Sequence, residues 1–421
     1  MREFAGILKF DSASRVLSLD PRDPRFFENP YPAYQWMHEC APSFFWKEFG
    51  FWCLSGFEDV SRLLRDRRFG RENPQGPPSP QLPGSPRGHL ARFDALEEHS
   101  LLEREPPVHT RLRTLVNRAF VSRQVERLRP RLEQLSNELI DAFEGDGTAE
   151  LIEAYASPLP VAVIAGMLGI DEAMGPQLLE WSHSMVAMYA YGQTREIEER
   201  ADLASKEFAA FVRSELRARR NGNGGDLLSL LAAAEADGQK LTSDELVSTA
   251  VLLLNAGHEA TVHQTGNAVK TILEHALDPS VLFASDAAAA ATVEEALRFD
   301  APLHMFTRYA NQDMLLGKDY PSVSALSVQK GQKIGLLLGA ANRDPKAFAR
   351  PDEFGPGRRD QKNVSFGAGI HFCVGAPLAR LELQVSLRIL FQRLPKLRLA
   401  DKPRCRDSYH FHGLEALNVT F

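Results

Sequence analysis

From Ser243 to about His275 the chain keeps a helical period without a single proline. At 1.5 Å per residue such a helix is on the order of 50 Å long, enough to cross a whole domain. A helix of that length outside a coiled coil has to pass through a core, and its segment Ala250–Ala256, AVLLLNA, is almost wholly apolar. Thr242 and Glu245 form a T-x-x-E capping box that sets its start. The fold must therefore be built around one buried helix, with the other elements packed on it.

Those other elements are mostly helical. Residues 107–275 carry helical period, broken at Pro158, Pro160 and the NGNGG turn at 221–225. The Ala-rich stretch 284–299 reads as a helix stopped by Pro302, and a last helix starts near Pro377, a residue suited to a first turn. Residues 44–54 read as strand, turn at Lys47–Gly50, strand, with a short helix around Phe57–Arg65. Residues 303–338 alternate and carry turn signals, so they predict short strands. Residues 71–100 hold Pro74, Pro77, Pro78, Pro80, Pro83 and Pro86 and read as one long loop, either a linker or a lid over a pocket. The class is mainly α with small β-sheets.

Composition narrows the function. The formal charge of -6 over 421 residues makes no case for nucleic acid. No run of about 18 apolar residues occurs, so no membrane insertion is expected. The N-terminus is too interrupted by charge for a secretory signal. Cys40, Cys53, Cys373 and Cys405 are scattered, without a C-x-x-C pair, which argues against a zinc site or disulfide framework and for a cytoplasmic setting.

One of these cysteines has unusual surroundings. Phe366-Gly367-Ala368-Gly369-Ile370-His371-Phe372-Cys373-Val374-Gly375 precedes the last helix. Gly367 and Gly369 allow backbone turns and close approach that other residues forbid. Cys373 then stands before a helix N-terminus, whose partial positive charge favours thiolate over thiol. The pattern F-x-x-G-x-x-x-C-x-G followed by A-P-L-A-R-L-E resembles the haem-binding loop of cytochrome P450 enzymes, and the resemblance spans roughly residue 25 to the C-terminus.

That resemblance implies a cytochrome P450 fold, with haem b (iron protoporphyrin IX) between the long central helix and the Cys373 loop. It implies one domain over residues 1–421, with a β-rich N-terminal lobe around 40–56 and 303–338, a helical lobe for the rest, and 71–100 as a lid loop. Cys373 becomes the proximal iron ligand, with Phe366, Gly367, Gly375 and, across the cofactor, Ala256 beside it. Glu105-Pro-Pro-Val-His109-Thr-Arg-Leu-Arg113 resembles the family's propionate-binding helix start, and Arg308 and His371 match further propionate contacts. Glu295 and Arg298, an E-x-x-R pair, join Arg358 of the Phe354–Arg358 segment in a network that holds the cysteine loop.

The distal motif is Ala256-Gly257-His258-Glu259-Ala260-Thr261. It is similar to the family's A-G-x-[D/E]-T-T, with Ala260 in place of the first threonine. Gly257 is expected to open room for dioxygen. Ala260 offers no hydroxyl beside the reacting dioxygen, and Thr261, about 100° further round the helix, is expected to point elsewhere. Proton delivery would then use ordered water with Glu259, or a hydroxyl of the substrate.

The implied activity is monooxygenation: one atom of O2 enters a mostly hydrophobic small molecule. Electrons would come from a separate [2Fe-2S] or similar ferredoxin and its reductase, since the chain ends soon after the haem region, and the enzyme would be a monomer. A peroxide-driven haem-thiolate enzyme and a non-catalytic haem ligand carrier are the alternatives. Eight arginines between 104 and 131 against two acids suggest either a solvated helix face or a docking patch for an acidic redox partner. The expected pocket takes Leu252, Asn255, Leu303, His304, Met305, Phe306 and Leu414, along with the turn near Met185–Tyr191, and His304 and Asn255 supply its polar handle.

Overall fold

The computed structural model describes residues 6–76, 88–119, 125–219, 224–235, 238–323, 325–359 and 362–421. Helices and strands are numbered below in chain order. Helix α1 spans Tyr31–Cys40, α2 Ala91–Glu98, α3 Val108–Ala119, α4 Arg129–Asp141 and α5 Pro158–Leu168. Helix α6 spans Gly175–Val186, α7 Arg195–Ala218, α8 Ser243–Glu274, α9 Asp286–Phe299 and α10 Ala376–Arg393.

Helix α8 is the beam of the helical lobe. Its capping box is formed in both directions, Thr242 Oγ1 accepting from Glu245 N–H at 3.2 Å and Glu245 Oε2 from Thr242 N–H at 2.9 Å. Most of its residues are buried, including polar Thr249, Gln264 and Asn267. Helices α5, α7, α9 and α10 pack on it, so that one apolar cluster runs from Leu90 to Val419. Pro158 and Pro160 do not break the helical run; they open α5, where the missing N–H is one that a first turn leaves unpaired anyway. The helical reading of 107–275 also missed a strand at Thr148–Glu150, which joins Asn418–Thr420 and Arg398–Leu399 in a small sheet.

The second lobe holds a seven-stranded sheet. Its strands are β1 Lys9–Asp11, β2 Val16–Ser18, β3 Ser43–Trp46, β4 Phe51–Leu54, β5 Phe69–Gly70, β6 Met305–Ala310 and β7 Lys333–Leu337, in the order β1-β2-β3-β4-β7-β6-β5. The expected β3–β4 hairpin is there, with Phe45 paired to Trp52. In β6, Phe306 and Arg308 stand two apart and so share one face.

Residues 71–100 are not one loop. Pro77, Pro78, Pro80, Pro83 and Pro86 lie outside the described residues, but Gly88–Leu90 is a 3-10 turn and Ala91–Glu98 is α2. Leu90, Phe93 and Leu96, three apart, give this stretch a helical face, and all are buried. Buried Asp202 of α7 caps α2, accepting from the N–H groups of Arg92 at 2.7 Å and Phe93 at 3.2 Å. The prolines upstream hide this pattern, and the cap comes from a residue over a hundred positions away.

The backbone leading to Cys373 is tied to α9. Arg298 donates to both oxygens of Glu295 at 2.8 Å, and Arg358 Nε donates to Glu295 Oε1 at 2.9 Å. Arg298 also donates to the carbonyls of Asn342 and Pro351, each at 2.9 Å. The Asn342 side chain in turn accepts from Val364 N–H at 2.9 Å and donates to Ser365 Oγ at 2.8 Å. Charge at Glu295 is thus converted into a fixed position for residues 364–365. Arg298→Ala leaves a carboxylate that is 4% exposed with half its support gone, so it should destabilise the protein by about 3–5 kcal/mol in urea unfolding; a loss under about 1 kcal/mol would mean the pair is dispensable.

Candidate functional site

A cavity of about 940 Å³ lies between the lobes, at the upper end of the range for ligand pockets. Cys373, Phe366, Val374 and Gly375 form one wall. Helix α8 forms another through Leu252, Asn255, Ala256, Gly257, Glu259, Ala260, Thr261 and Gln264. Leu252, Ala256 and Ala260 recur every four residues, which places them on one stripe of the helix.

The cysteine loop is shaped by its glycines. Gly367 has φ 67° and Gly369 φ 73°, the left-handed region that favours glycine. A Cβ on Gly369 would stand 2.4 Å from the Leu64 carbonyl oxygen, so the loop can lie against that segment only without a side chain. Gly367 packs behind the wall, facing the Phe306 ring, and is not itself on the cavity surface. Cys373 N–H donates to the Phe366 carbonyl at 3.0 Å and closes the turn. Arg380 stacks over Phe366 at 4.5 Å while bonded to Glu294. Burial pushes the Cys373 thiol up, opposed by the backbone N–H of Gly375, the Arg113 charge and the backbone N–H of Ala376. A cation at the iron position would complete what those donors begin.

The basic residues converge on the same cavity. Arg308, His109, Arg113 and His371 all line it. Arg308 is 4% exposed, and among the described residues its side chain donates to the Thr307 carbonyl at 2.9 Å. Burial, then the neighbouring charge of Arg71, pushes it down to about 9. Arg113 is half-buried and pairs with no carboxylate among the described residues; its charge faces Cys373. His109 Nε2 is buried without a hydrogen-bond partner, and burial followed by His371 lowers it to about 4. His371 Nε2 is 2.9 Å from Glu105 Oε1, with its ring 4.3 Å from that of His109. Desolvated donors without an acceptor are costly, and a dianionic ligand such as the two haem carboxylates answers them. The residues present fit that group.

On the distal side one expectation is extended and another corrected. A Cβ on Gly257 would meet Ile164 Cγ1 at 3.0 Å, so this glycine, itself on the cavity wall, also lets α5 approach α8. Thr261 does border the cavity together with Ala260, because the cavity wraps around the helix by more than one residue's arc. Burial works to raise the Glu259 carboxyl, but the hydrogen bond from His263 and the imidazoles of His263, His258 and His183 around it bring it down to about 2.

His304 is not a pocket residue. It is fully buried with Nδ1 2.6 Å from the Tyr34 hydroxyl, in a network with Asp300 and His412 behind β6. Leu414 is also absent from the lining; it packs on Gly266 of α8, and the preceding His410 and Phe411 reach the cavity instead. Beyond the residues already named, polar groups at the cavity wall include Asn255, Gln264, Arg71, Glu97, Tyr189 and His410. Of these, only Asn255 is legible from the helix period as a handle. Glu97 is pushed up by burial and Glu103 and accepts from the Tyr189 hydroxyl at 3.3 Å; Arg71, ion-paired to Glu103, lies close by. Gln264, one turn beyond Ala260, has both side-chain polar atoms buried and unpartnered.

Half of the arginine run is paired with carboxylates. Arg104, Arg111, Arg129 and Arg131 pair with Glu72, Glu245, Glu126 and Glu172, and Arg113 turns inward. Arg123 lies outside the described residues, and Arg127 remains exposed.

The cytochrome P450 family model matches residues 289–407. The biotin biosynthesis cytochrome P450 of Bacillus subtilis is 33% identical over 94% of this chain and 97% of its own. The chain belongs to the cytochrome P450 family. The 6-deoxyerythronolide B hydroxylase of Saccharopolyspora erythraea is 34% identical, covering 87% of this P450 and 89% of the hydroxylase. Among solved structures, P450BioI in complex with acyl carrier protein carrying hexadec-9Z-enoic acid superposes at a TM-score of 0.86, with 32% identity over 94% of this chain and all of that one. Fold, relatives and site together make this a P450 monooxygenase of the bacterial type that binds haem b. No described helix is long and apolar enough to cross a membrane.

Arg308→Met removes one charge-assisted donor worth about 1.5–3 kcal/mol. Haem loss to apomyoglobin should therefore quicken by about ten- to hundredfold; an unchanged rate would remove Arg308 from the cofactor site.

Proposed function

We propose that this P450 hydroxylates a mostly hydrophobic small molecule with Cys373 as proximal ligand of the haem iron. The observation that carries this reading is convergence: the Cys373 sulfur and the unanswered cations Arg308 and Arg113 face one cavity. His109, Arg113, Arg308 and His371 would hold the propionates, while Phe366, Gly375 and Ala256 flank the ring. The Glu295, Arg298 and Arg358 network positions the loop without touching the cofactor. When bound, haem b supplies the redox-active iron at which dioxygen is reduced.

The chain's own residues do the rest. Leu252, Leu303, Met305 and Phe306 offer an apolar wall to the substrate. The polar handle moves from His304 to Glu97, Tyr189 and His410, with Asn255 on α8. Glu259, held as the carboxylate, would relay protons beside Ala260 through ordered water, or a substrate hydroxyl would serve, and Gln264 lies on the same wall to orient either. Walls drawn from Glu48 to Phe411 support one catalytic domain, which we take to act as a monomer. Four free thiols fit a cytoplasmic setting. The likeness to bacterial relatives supports a separate ferredoxin and reductase as electron source; with four of the eight arginines of the run already paired to carboxylates, docking would draw on fewer charges than the sequence suggests.

Ala260 favours a peroxide-driven reaction as the second reading. The two part in one experiment. A compound found by its shift of the iron spin state is incubated with oxygen-18 gas, ferredoxin, reductase and nicotinamide reductant. Hydroxylation predicts one labelled atom per product and little product with hydrogen peroxide alone. Unlabelled product, or equal rates with peroxide, would overturn the monooxygenase mechanism for this chain.

A further inference from the structure

The carboxylate of Glu259 divides its two oxygens between different neighbours. Oε1 lies 3.2 Å from His263 Nε2 and 3.8 Å from the Arg406 guanidinium. Oε2 accepts no hydrogen bond from a described residue and faces two imidazole nitrogens, His183 Nε2 at 3.5 Å and His258 Nε2 at 3.7 Å. His258 Nδ1 is 2.8 Å from the Leu254 carbonyl oxygen. A carbonyl only accepts, so Nδ1 carries the proton, and Nε2 of the neutral ring then presents a lone pair. His258 is 3% exposed and its Nε2 has no hydrogen-bond partner. A buried lone pair left this way calls for an acceptor-seeking ligand.

We propose that His183, His258 and Glu259 form a binding site for a divalent transition metal of the zinc type. Their ligand atoms lie within 4.8 Å of one another. Zinc bonds of about 2.0–2.2 Å in a tetrahedron place ligand atoms roughly 3.3–3.6 Å apart. Two edges, at 3.5 and 3.7 Å, are already close to that length. The third, between His183 and His258, is within 4.8 Å, and His183, 50% exposed on the last turn of α6, leaves the fourth position open to water. Two imidazoles with one carboxylate suit zinc better than magnesium or calcium. The supports that such ligands require are present, with the Leu254 carbonyl orienting His258 and His263 orienting Glu259.

The metal would clamp α6, which carries the cavity residues Met185 and Val186, onto α8. It would also occupy Oε2 and so withdraw Glu259 from proton delivery; this consequence rests on the mechanism proposed above.

Zinc chloride titrated into chelator-treated holoprotein tests the site by calorimetry. One equivalent should bind saturably, with affinity lower by about tenfold or more in His183→Ala and in His258→Gln. His183 is half-exposed, so its variant tests the site even if His258→Gln fails to fold, and an unaltered haem absorption reports folding in each. Absence of saturable binding, or full affinity in correctly folded His183→Ala, overturns the site. In the oxygen-18 assay, zinc should slow product formation by the wild type at concentrations that spare His183→Ala. Saturable zinc binding without slowing overturns the link to Glu259 while leaving the haem-thiolate reading intact.

Discussion

A sulfur can face a cavity as an anion only if its backbone is held still and its charge is answered. The Glu295 carboxylate supplies the first condition. It gathers Arg298 and Arg358, and through Asn342 fixes residues 364–365, just ahead of the turn that Cys373 closes onto Phe366. The second condition is incomplete within the protein. Burial raises the thiol, and the N–H groups of Gly375 and Ala376 with the Arg113 charge offset it only in part. An iron cation at that position is the missing term.

The same incompleteness marks the cationic side of the cavity. Arg308 sits in a desolvated place with a neutral carbonyl as its partner, and His109 keeps an unused ring nitrogen. Such an arrangement lowers the stability of the chain by itself and becomes favourable with a dianion between the groups. Helix α8 gives this chemistry a rigid boundary. Its interior is anchored by packing on α5, α7, α9 and α10, so the stripe Leu252–Ala256–Ala260 holds its place against the cysteine wall.

Local signals carried much of the fold. A capping box, a proline-free run and the glycine spacing before Cys373 each act over a few residues, and the elements they foretell are present. What was illegible depends on distant partners. Helix α2 takes its cap from Asp202; His304 turns toward Tyr34 and Asp300 rather than the cavity; Leu414 is claimed by Gly266. The packing of Ile164 against Gly257 likewise comes from a distant helix. Strand alternation is a two-residue rule, and one position of uncertainty where β6 begins is enough to send His304 to the wrong face. The half-paired arginine run teaches the same lesson, since the acids that pair with it lie as far off as Glu245.

Ligation of iron by the Cys373 thiolate is tested most directly by the absorption of the reduced protein under carbon monoxide. Thiolate ligation predicts the strongly red-shifted Soret band for the wild type and its loss in Cys373→Ala. A wild type without that band, or a Cys373→Ala protein that keeps it, would contradict the assignment.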